Sequence, residues 1–191
     1  MLMHKDISRF PLADVSELPD DLQGRVKEIQ EKMGFIPNIF ASLAHRPQEL
    51  RAFFDYHDSL MNKNCGLTKG EREMIVVATS SLNNCTYCVV SHGAILRIRE
   101  KMPKLGDQIA VNFREADISV RQKAMLEFAV KVAKQADEIS ETDFESLKLH
   151  GFSDDDIWDI GAITALFALS NRIANMAGIR PNDEFYSIGR G

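Results

Sequence analysis

The stretch Glu73–Arg97 reads EMIVVATSSLNNCTYCVVSHGAILR and carries two of the three cysteines in the chain. Cys85 and Cys88 are separated by two residues, and His92 follows the second cysteine four positions later. On an α-helix these three positions share one face. A glutamate, Glu73, comes twelve residues before Cys85. The pattern therefore predicts a carboxylate on one helix that leans over a dithiol at the start of the next.

These residue types are those of thiol redox chemistry. The thiolate is the nucleophile, and an ordinary cysteine is mostly protonated at neutral pH. The positive end of the helix dipole favours a thiolate at Cys85. His92 lies one turn beyond Cys88 and can accept its proton, while Glu73 orients the imidazole. The first argument favours Cys85 as the attacking residue and the second favours Cys88.

Composition limits the function classes. The 191 residues are 45% hydrophobic and 27% charged, which is ordinary for one soluble globular domain. The formal net charge of −5 comes without a basic block, which argues against nucleic-acid binding. No apolar run is long enough to span a membrane, and the first residues do not form a secretory signal. We therefore expect a cytoplasmic protein without a membrane segment.

Helix start and stop signals predict an all-α fold, a compact multi-helix bundle. Thr68 and Glu71 form a capping box, so we expect a helix there although the β-branched run that follows would also suit a strand. Asp20 or Asp21 is expected to cap the first helix. Helices are predicted close to 20–33, 39–44, 47–61, 68–82, 84–100, 106–111, 119–135, 140–151 and 153–176. Residues 1–191 are expected to form a single domain, with an N-terminal arm (1–19), a helical core (20–180) and a C-terminal tail (181–191).

The spacing of Glu73, Cys85, Cys88 and His92 resembles the signature E-x11-C-x2-C-x3-H of alkyl hydroperoxidase D-like proteins, which belong to the carboxymuconolactone decarboxylase superfamily. The resemblance extends to the peroxidase-related branch over residues 30–185. The other segments that carry it are GFIPNIF at 34–40, LTKGERE at 67–73, and NRIA at 171–174 with Pro181.

The resemblance implies an antioxidant enzyme that reduces alkyl hydroperoxides with a redox-active disulfide. It implies that Cys88 is the peroxidatic cysteine, Cys85 the resolving cysteine, and Glu73 with His92 the proton relay. It also implies an external dithiol reductant and a homo-oligomer, from dimer to hexamer. Alkyl hydroperoxidase D proteins have a histidine between the cysteines where this chain has Tyr87. We expect no cofactor and no metal.

Other interpretations remain open at this stage. The dithiol could serve a disulfide carrier or a stress sensor with little peroxide turnover. A decarboxylase-like lyase is a third possibility, although the members that name the superfamily lack the cysteine pair. A zinc site could combine the Cys85, Cys88 and His92 side chains with Glu73 or Cys65 as a fourth ligand. His57, on an apolar helix face, is interpreted as a hydrogen-bonded core histidine.

Overall fold

The computed structural model describes residues 7–64 and 66–190, and within these ranges it contains ten α-helices and no β-strand. The all-α prediction is therefore confirmed. The helices are α1 (Asp20–Met33), α2 (Asn38–Leu43), α3 (Pro47–Met61), α4 (Lys69–Leu82), α5 (Thr86–Glu100), α6 (Leu105–Asn112), α7 (Val120–Gln135), α8 (Glu141–Leu149), α9 (Asp154–Ala177) and α10 (Glu184–Ser187).

Helix α4 is the centre of the bundle. Residues 70–80 are all buried, because α5, α6, α7 and α9 surround the helix. Thr68 accepts the backbone N–H of Glu71 at 3.1 Å, and the Glu71 carboxylate accepts the N–H of Thr68 at 2.9 Å. The predicted capping box is confirmed, and it explains why the β-branched run continues as a helix. The hydroxyl of Thr79 bonds back to the carbonyl of Ile75 at 2.8 Å, so this polar side chain is satisfied inside the core.

Helix α9 is the second buried helix and has its own capping box. Ser153 and Asp156 make the reciprocal bonds at its start, and Gly178 ends it with a left-handed φ of 64°. The N-terminal arm crosses this end, where the N–H of Arg9 donates to the carbonyl of Ala177 at 2.7 Å. The arm is thus held against the last turn of α9.

Several boundaries differ from the sequence prediction for local reasons. The residue before α1 is Pro19, and no side chain caps the helix, so the cap predicted at Asp20 or Asp21 was wrong. Helix α5 begins at Thr86, two residues later than predicted, because Asn84 has a left-handed φ of 50°. Cys85 is then the residue before the helix. This shift matters for the chemistry of its sulfur.

The segment predicted as a tail contains helix α10. The buried guanidinium of Arg97 on α5 donates to the carbonyls of Phe185 at 2.7 Å and Ile188 at 3.0 Å. The same segment therefore covers the outer side of the cysteine helix. No helix within residues 7–64 and 66–190 is long and apolar enough to cross a membrane.

Candidate functional site

The two cysteines meet at the start of α5. Both side chains are buried, both thiols are free, and their sulfur atoms lie 2.7 Å apart. The backbone N–H of Cys88 also donates to the sulfur of Cys85 at 3.4 Å, so Cys85 caps the helix with its sulfur. We assign the hydrogen of the sulfur–sulfur contact to the thiol of Cys88, because this contact lowers the pKa of Cys85 and raises the pKa of Cys88.

This arrangement separates the acidities of the two thiols. The hydrogen bond from Cys88 holds the pKa of Cys85 below its ordinary value, against the effect of burial. The same bond, together with burial, raises the pKa of Cys88 far above its ordinary value. A single negative charge on the resting pair therefore lies on Cys85. The helix-start argument from the sequence agrees with this distribution.

His92 and Glu73 form a hydrogen-bonded dyad beside the thiols. The Nδ1 atom of His92 lies 2.7 Å from Oε2 of Glu73, and the glutamate is buried while the histidine side chain is 14% exposed. Arg99, about two turns further along α5, lies 3.5 Å from the other glutamate oxygen. Because Nδ1 is engaged, Nε2 is the nitrogen of His92 that remains for proton exchange.

A buried amide network supports the dithiol from α9. Asn171 is fully buried; its amide donates to the hydroxyl of Ser80 at 2.9 Å and accepts from the amide of Asn83 at 2.9 Å. The mutual Cys85–Cys88 bond is the main cause of both thiol pKa shifts, and hydrogen bonding from Asn171 adds a lowering effect on each. The network therefore links the break between α4 and α5 to the sulfur atoms of Cys85 and Cys88.

Tyr87, which lies between the cysteines, is buried and anchors α2. Its phenolic oxygen accepts the backbone N–H of Ile39 at 3.3 Å. Burial raises the pKa of Tyr87 above its ordinary value, so the phenol is neutral. Tyr87 thus packs beside the dithiol and links the start of α5 to α2 through one hydrogen bond.

A cavity of about 370 Å³ opens beside Cys88 and His92, whereas Cys85 does not line it. Its walls are mainly apolar and come from α1, α2, α3, α5, α9 and α10. The aromatic side chains in the lining are Phe40, Phe53, Phe54, Tyr87, Phe167 and Phe185. Charged groups, among them Arg25, Glu28, Lys32, Asp58 and Arg99, line it as well. An apolar molecule with one polar reactive group fits such a space.

His57 was predicted as a core histidine, but its side chain is 28% exposed and lines this cavity. Its ring lies 6.4 Å from the ring of Phe167, and the ring of His92 lies 4.7 Å from the same phenyl group. The sequence placed His57 beside Phe53 and Phe54 on one helix face. It could not show that this face borders a cavity.

The structure thus brings together all four residues singled out in the sequence: Cys85, Cys88, His92 and Glu73. Sequence reasoning missed His57 and Asn171 as members of this region. Asn171 had one signal, its place in the NRIA segment. The fourth ligand considered for zinc, Cys65, lies outside the described residues. Within residues 7–64 and 66–190, no group of three or more histidine, cysteine, aspartate or glutamate side chains could hold a metal ion.

The fold and the dithiol helix define a class of protein: all-α proteins of the alkyl hydroperoxidase D type. The profile of the Carboxymuconolactone decarboxylase family matches residues 47–104, which include both cysteines and Glu73. A solved structure from Ralstonia eutropha JMP134, described as an alkylhydroperoxidase AhpD core and an uncharacterized peroxidase-related protein, is 63% identical over 97% of both chains with a TM-score of 0.95. The chain belongs to the carboxymuconolactone decarboxylase family, within its alkyl hydroperoxidase D-like, peroxidase-related members.

Two further structures show how widely the fold is shared. An uncharacterized peroxidase-related protein from Silicibacter sp. TM1040 is 40% identical over the whole of both chains, with a TM-score of 0.91. The debrominase Bmp8, solved with 2,3,4-tribromopyrrole, is 18% identical over 93% of both chains, with a TM-score of 0.75, and shares the fold. No curated protein matches the sequence.

Proposed function

We propose that this protein is a thiol-dependent hydroperoxide reductase in which Cys88 attacks the peroxide and Cys85 resolves the product. The observation that carries the proposal is the contact of the two sulfurs at 2.7 Å, beside a histidine–glutamate pair and next to an apolar cavity. Membership in a peroxidase-related family supports the same reaction class.

Access supports Cys88 as the attacking residue. Its side chain lines the cavity together with His92, whereas Cys85 does not. Cys85 is the more acidic of the two thiols, so Cys88 keeps its proton until a base removes it for the attack. His92 lies one helical turn away, and Glu73 at its Nδ1 stabilises the imidazolium that forms when Nε2 takes this proton. Cys88 therefore combines access for a peroxide with a nearby base for its proton.

The reaction balances in two steps. The Cys88 thiolate attacks the terminal peroxide oxygen, the O–O bond breaks, and the alkoxide leaves as an alcohol after protonation. The Cys85 thiolate then attacks the sulfenic sulfur of Cys88, forms the disulfide and displaces hydroxide, which is protonated to water. An external dithiol returns the disulfide to two thiols. The close approach of the sulfurs favours the second step over a further oxidation.

The proposal is tested by the stoichiometry of a single turnover. Reduced protein is mixed with limiting cumene hydroperoxide, quenched with an alkylating agent and analysed by mass spectrometry. We expect one Cys85–Cys88 disulfide and one alcohol for each peroxide consumed. A protein that forms the disulfide readily with dithiol–disulfide exchange partners, but consumes no peroxide, would instead be a redox carrier or sensor.

The lyase alternative makes the opposite prediction about thiols. A decarboxylase acting on a lactone acid has no need of either cysteine, so its activity would survive alkylation of both. The buried, mutually bonded sulfurs, of which Cys88 lines the cavity, favour thiol chemistry. We therefore retain the reductase as the proposed function.

We also propose that the protein works as a homo-oligomer, without nucleic acid or membrane as a partner, in the cytoplasm. Helix α9 supports the assembly, because three large apolar side chains on it are exposed. They are Trp158 (76%), Leu169 (53%) and Met176 (61%). Large apolar groups along one exposed helix face are typical of a subunit interface.

A further inference from the structure

A second histidine–carboxylate pair lines the same cavity as His92. The Nδ1 atom of His57 lies 3.0 Å from Oδ1 of Asp58. As at His92, this leaves Nε2 as the nitrogen that can meet a molecule in the cavity. The two pairs come from different helices, α3 for His57 and α5 for His92. One cavity is therefore bordered by two imidazoles, each oriented by its own carboxylate.

The carboxylate of Asp58 is held in place by several donors. The guanidinium of Arg25 on α1 donates to Oδ2, and the amide of Asn62 donates to Oδ1 at 2.9 Å. The hydrogen bond from His57 is the main cause that holds the pKa of Asp58 below its ordinary value. A fixed, ionised carboxylate at Nδ1 stabilises the doubly protonated ring, in which Nε2–H is a donor.

The ring of His57 is also fixed by packing. It stacks on Phe53 with ring centres 6.1 Å apart and meets Phe167 edge-on at 6.4 Å. The same Phe167 ring also meets His92 edge-on, with ring centres 4.7 Å apart. Both imidazoles therefore pack on one phenyl group of the cavity wall, and each is held at Nδ1 by a different carboxylate.

The chemistry of the proposed reaction needs a proton donor away from the attacking sulfur. Displacement at a peroxide oxygen proceeds in line, so the leaving oxygen departs on the side opposite Cys88. His92, one turn from Cys88, is the group that takes the thiol proton. His57 lines the cavity with Nδ1 held by Asp58 and its side chain partly exposed, so it can serve as a separate donor for the leaving alkoxide.

We propose that His57, oriented by Asp58, is the general acid that protonates the leaving alkoxide, an inference that rests on the proposed reductase function. In this step the Cys88 sulfur forms a bond to the terminal oxygen and is oxidised by two electrons. The O–O bond breaks, and the proton on Nε2 of His57 passes to the departing oxygen, giving the alcohol. Solvent returns the proton, because the His57 side chain is 28% exposed.

The test compares two oxidants whose leaving groups differ in their need for a proton. tert-Butyl hydroperoxide expels a strongly basic alkoxide, whereas peracetic acid expels acetate, which leaves without protonation. For His57→Gln, we expect single-turnover oxidation by tert-butyl hydroperoxide to slow by about 100-fold or more, the range of general-acid catalysis. Oxidation by peracetic acid is expected to slow by less than about 10-fold.

Two further variants control the result. His150→Gln replaces a histidine at the end of α8, outside the cavity lining, and is expected to leave both rates unchanged. Asp58→Asn keeps the shape of the carboxylate but removes its charge, and we expect a smaller loss with the same selectivity for tert-butyl hydroperoxide. It also serves as the test variant if circular dichroism shows that His57→Gln does not fold.

Equal losses for both oxidants, or no loss for either, would overturn the role of His57 while leaving the reductase in place. If the wild-type thiols react with alkylating agents but with neither oxidant, the reductase proposal itself fails, and the role of His57 fails with it.

Discussion

The sulfur atoms of Cys85 and Cys88 lie 2.7 Å apart, and the lowered pKa of Cys85 beside the raised pKa of Cys88 assigns the shared hydrogen to Cys88. When the pair carries one negative charge, that charge lies on Cys85, whereas Cys88 borders the cavity. In the proposed mechanism, Cys88 transfers its proton to His92 before it attacks the peroxide, and Cys85 then closes the disulfide.

The first prediction concerns the titration of the two thiols. The mutual hydrogen bond is the main cause of each pKa shift. Removal of either cysteine should therefore move the pKa of the remaining cysteine back toward its ordinary value. In Cys85→Ala, the pKa of Cys88 should fall from its raised value, so its thiolate appears at lower pH than in the wild type. In Cys88→Ala, the pKa of Cys85 should rise. Thiolate absorbance as a function of pH measures both changes, and unaltered titration curves would contradict the assignment of the shared hydrogen.

The second prediction separates two neighbouring glutamates on α4. Glu73→Gln keeps the shape but removes the charge that supports an imidazolium at His92, so peroxide reduction should slow by about 10²–10⁴-fold. Glu71→Gln keeps an acceptor for the capping box at Thr68 but removes the charge that pairs with Arg121, so the expected effect is about 1 kcal/mol of lost stability with the thiol chemistry intact. Stopped-flow rates and urea unfolding measure the two effects. The account is wrong if Glu71→Gln slows the chemistry as much as Glu73→Gln does.

The third prediction concerns the buried amide of Asn171. Replacing it with alanine leaves Ser80 and Asn83 without one partner each, which should lower the free energy of unfolding by about 1–3 kcal/mol. It should also raise the pKa of both cysteines, because the amide lowers each of them. Denaturant unfolding and the rate of alkylation at neutral pH are the measurements. A variant that loses stability with unchanged thiol reactivity would show that the amide supports the helices alone.

The fourth prediction concerns the stability of the protein at acidic pH. The hydrogen bond from Arg190 holds the pKa of Asp107 below its ordinary value, and Lys131 does the same for Asp143. A carboxyl group whose pKa is lowered on folding stabilises the protein above its unfolded pKa, and this contribution disappears as pH falls through the folded pKa. Stability should therefore hold from neutral pH down to about 5 and decline below about 4. A maximum of the unfolding free energy below pH 4 would contradict this sign.

The fold could be predicted from the sequence because local signals, such as capping boxes, mark many of its helix boundaries. Thr68 with Glu71, and Ser153 with Asp156, form the capping boxes that their spacing predicts. The start of α5 was less clear. Its position depends on the left-handed conformation of Asn84, which asparagine tolerates but does not require.

The candidate site was predicted only in part, because local signals reveal which residues close in sequence lie together but not which distant helices pack against each other. Helical spacing puts Cys85, Cys88 and His92 on one face, and Glu73 is separated from them by one short helix break, so their closeness in sequence predicts that the four residues meet. His57 reaches the cavity from α3, through packing between helices that are distant in sequence. Periodicity marks such a residue as buried or apolar-facing, and it carries no information about what lies opposite.

The most direct test of the central claim identifies the cysteine that peroxide oxidises first. Cys85→Ser and Cys88→Ser proteins are treated with one equivalent of cumene hydroperoxide in the presence of a sulfenic-acid trap and analysed by peptide mass spectrometry. The account predicts a trapped sulfenic acid at Cys88 in Cys85→Ser and a reduced thiol at Cys85 in Cys88→Ser. A sulfenic acid at Cys85 with no oxidation of Cys88 would contradict the account and exchange the roles of the two residues.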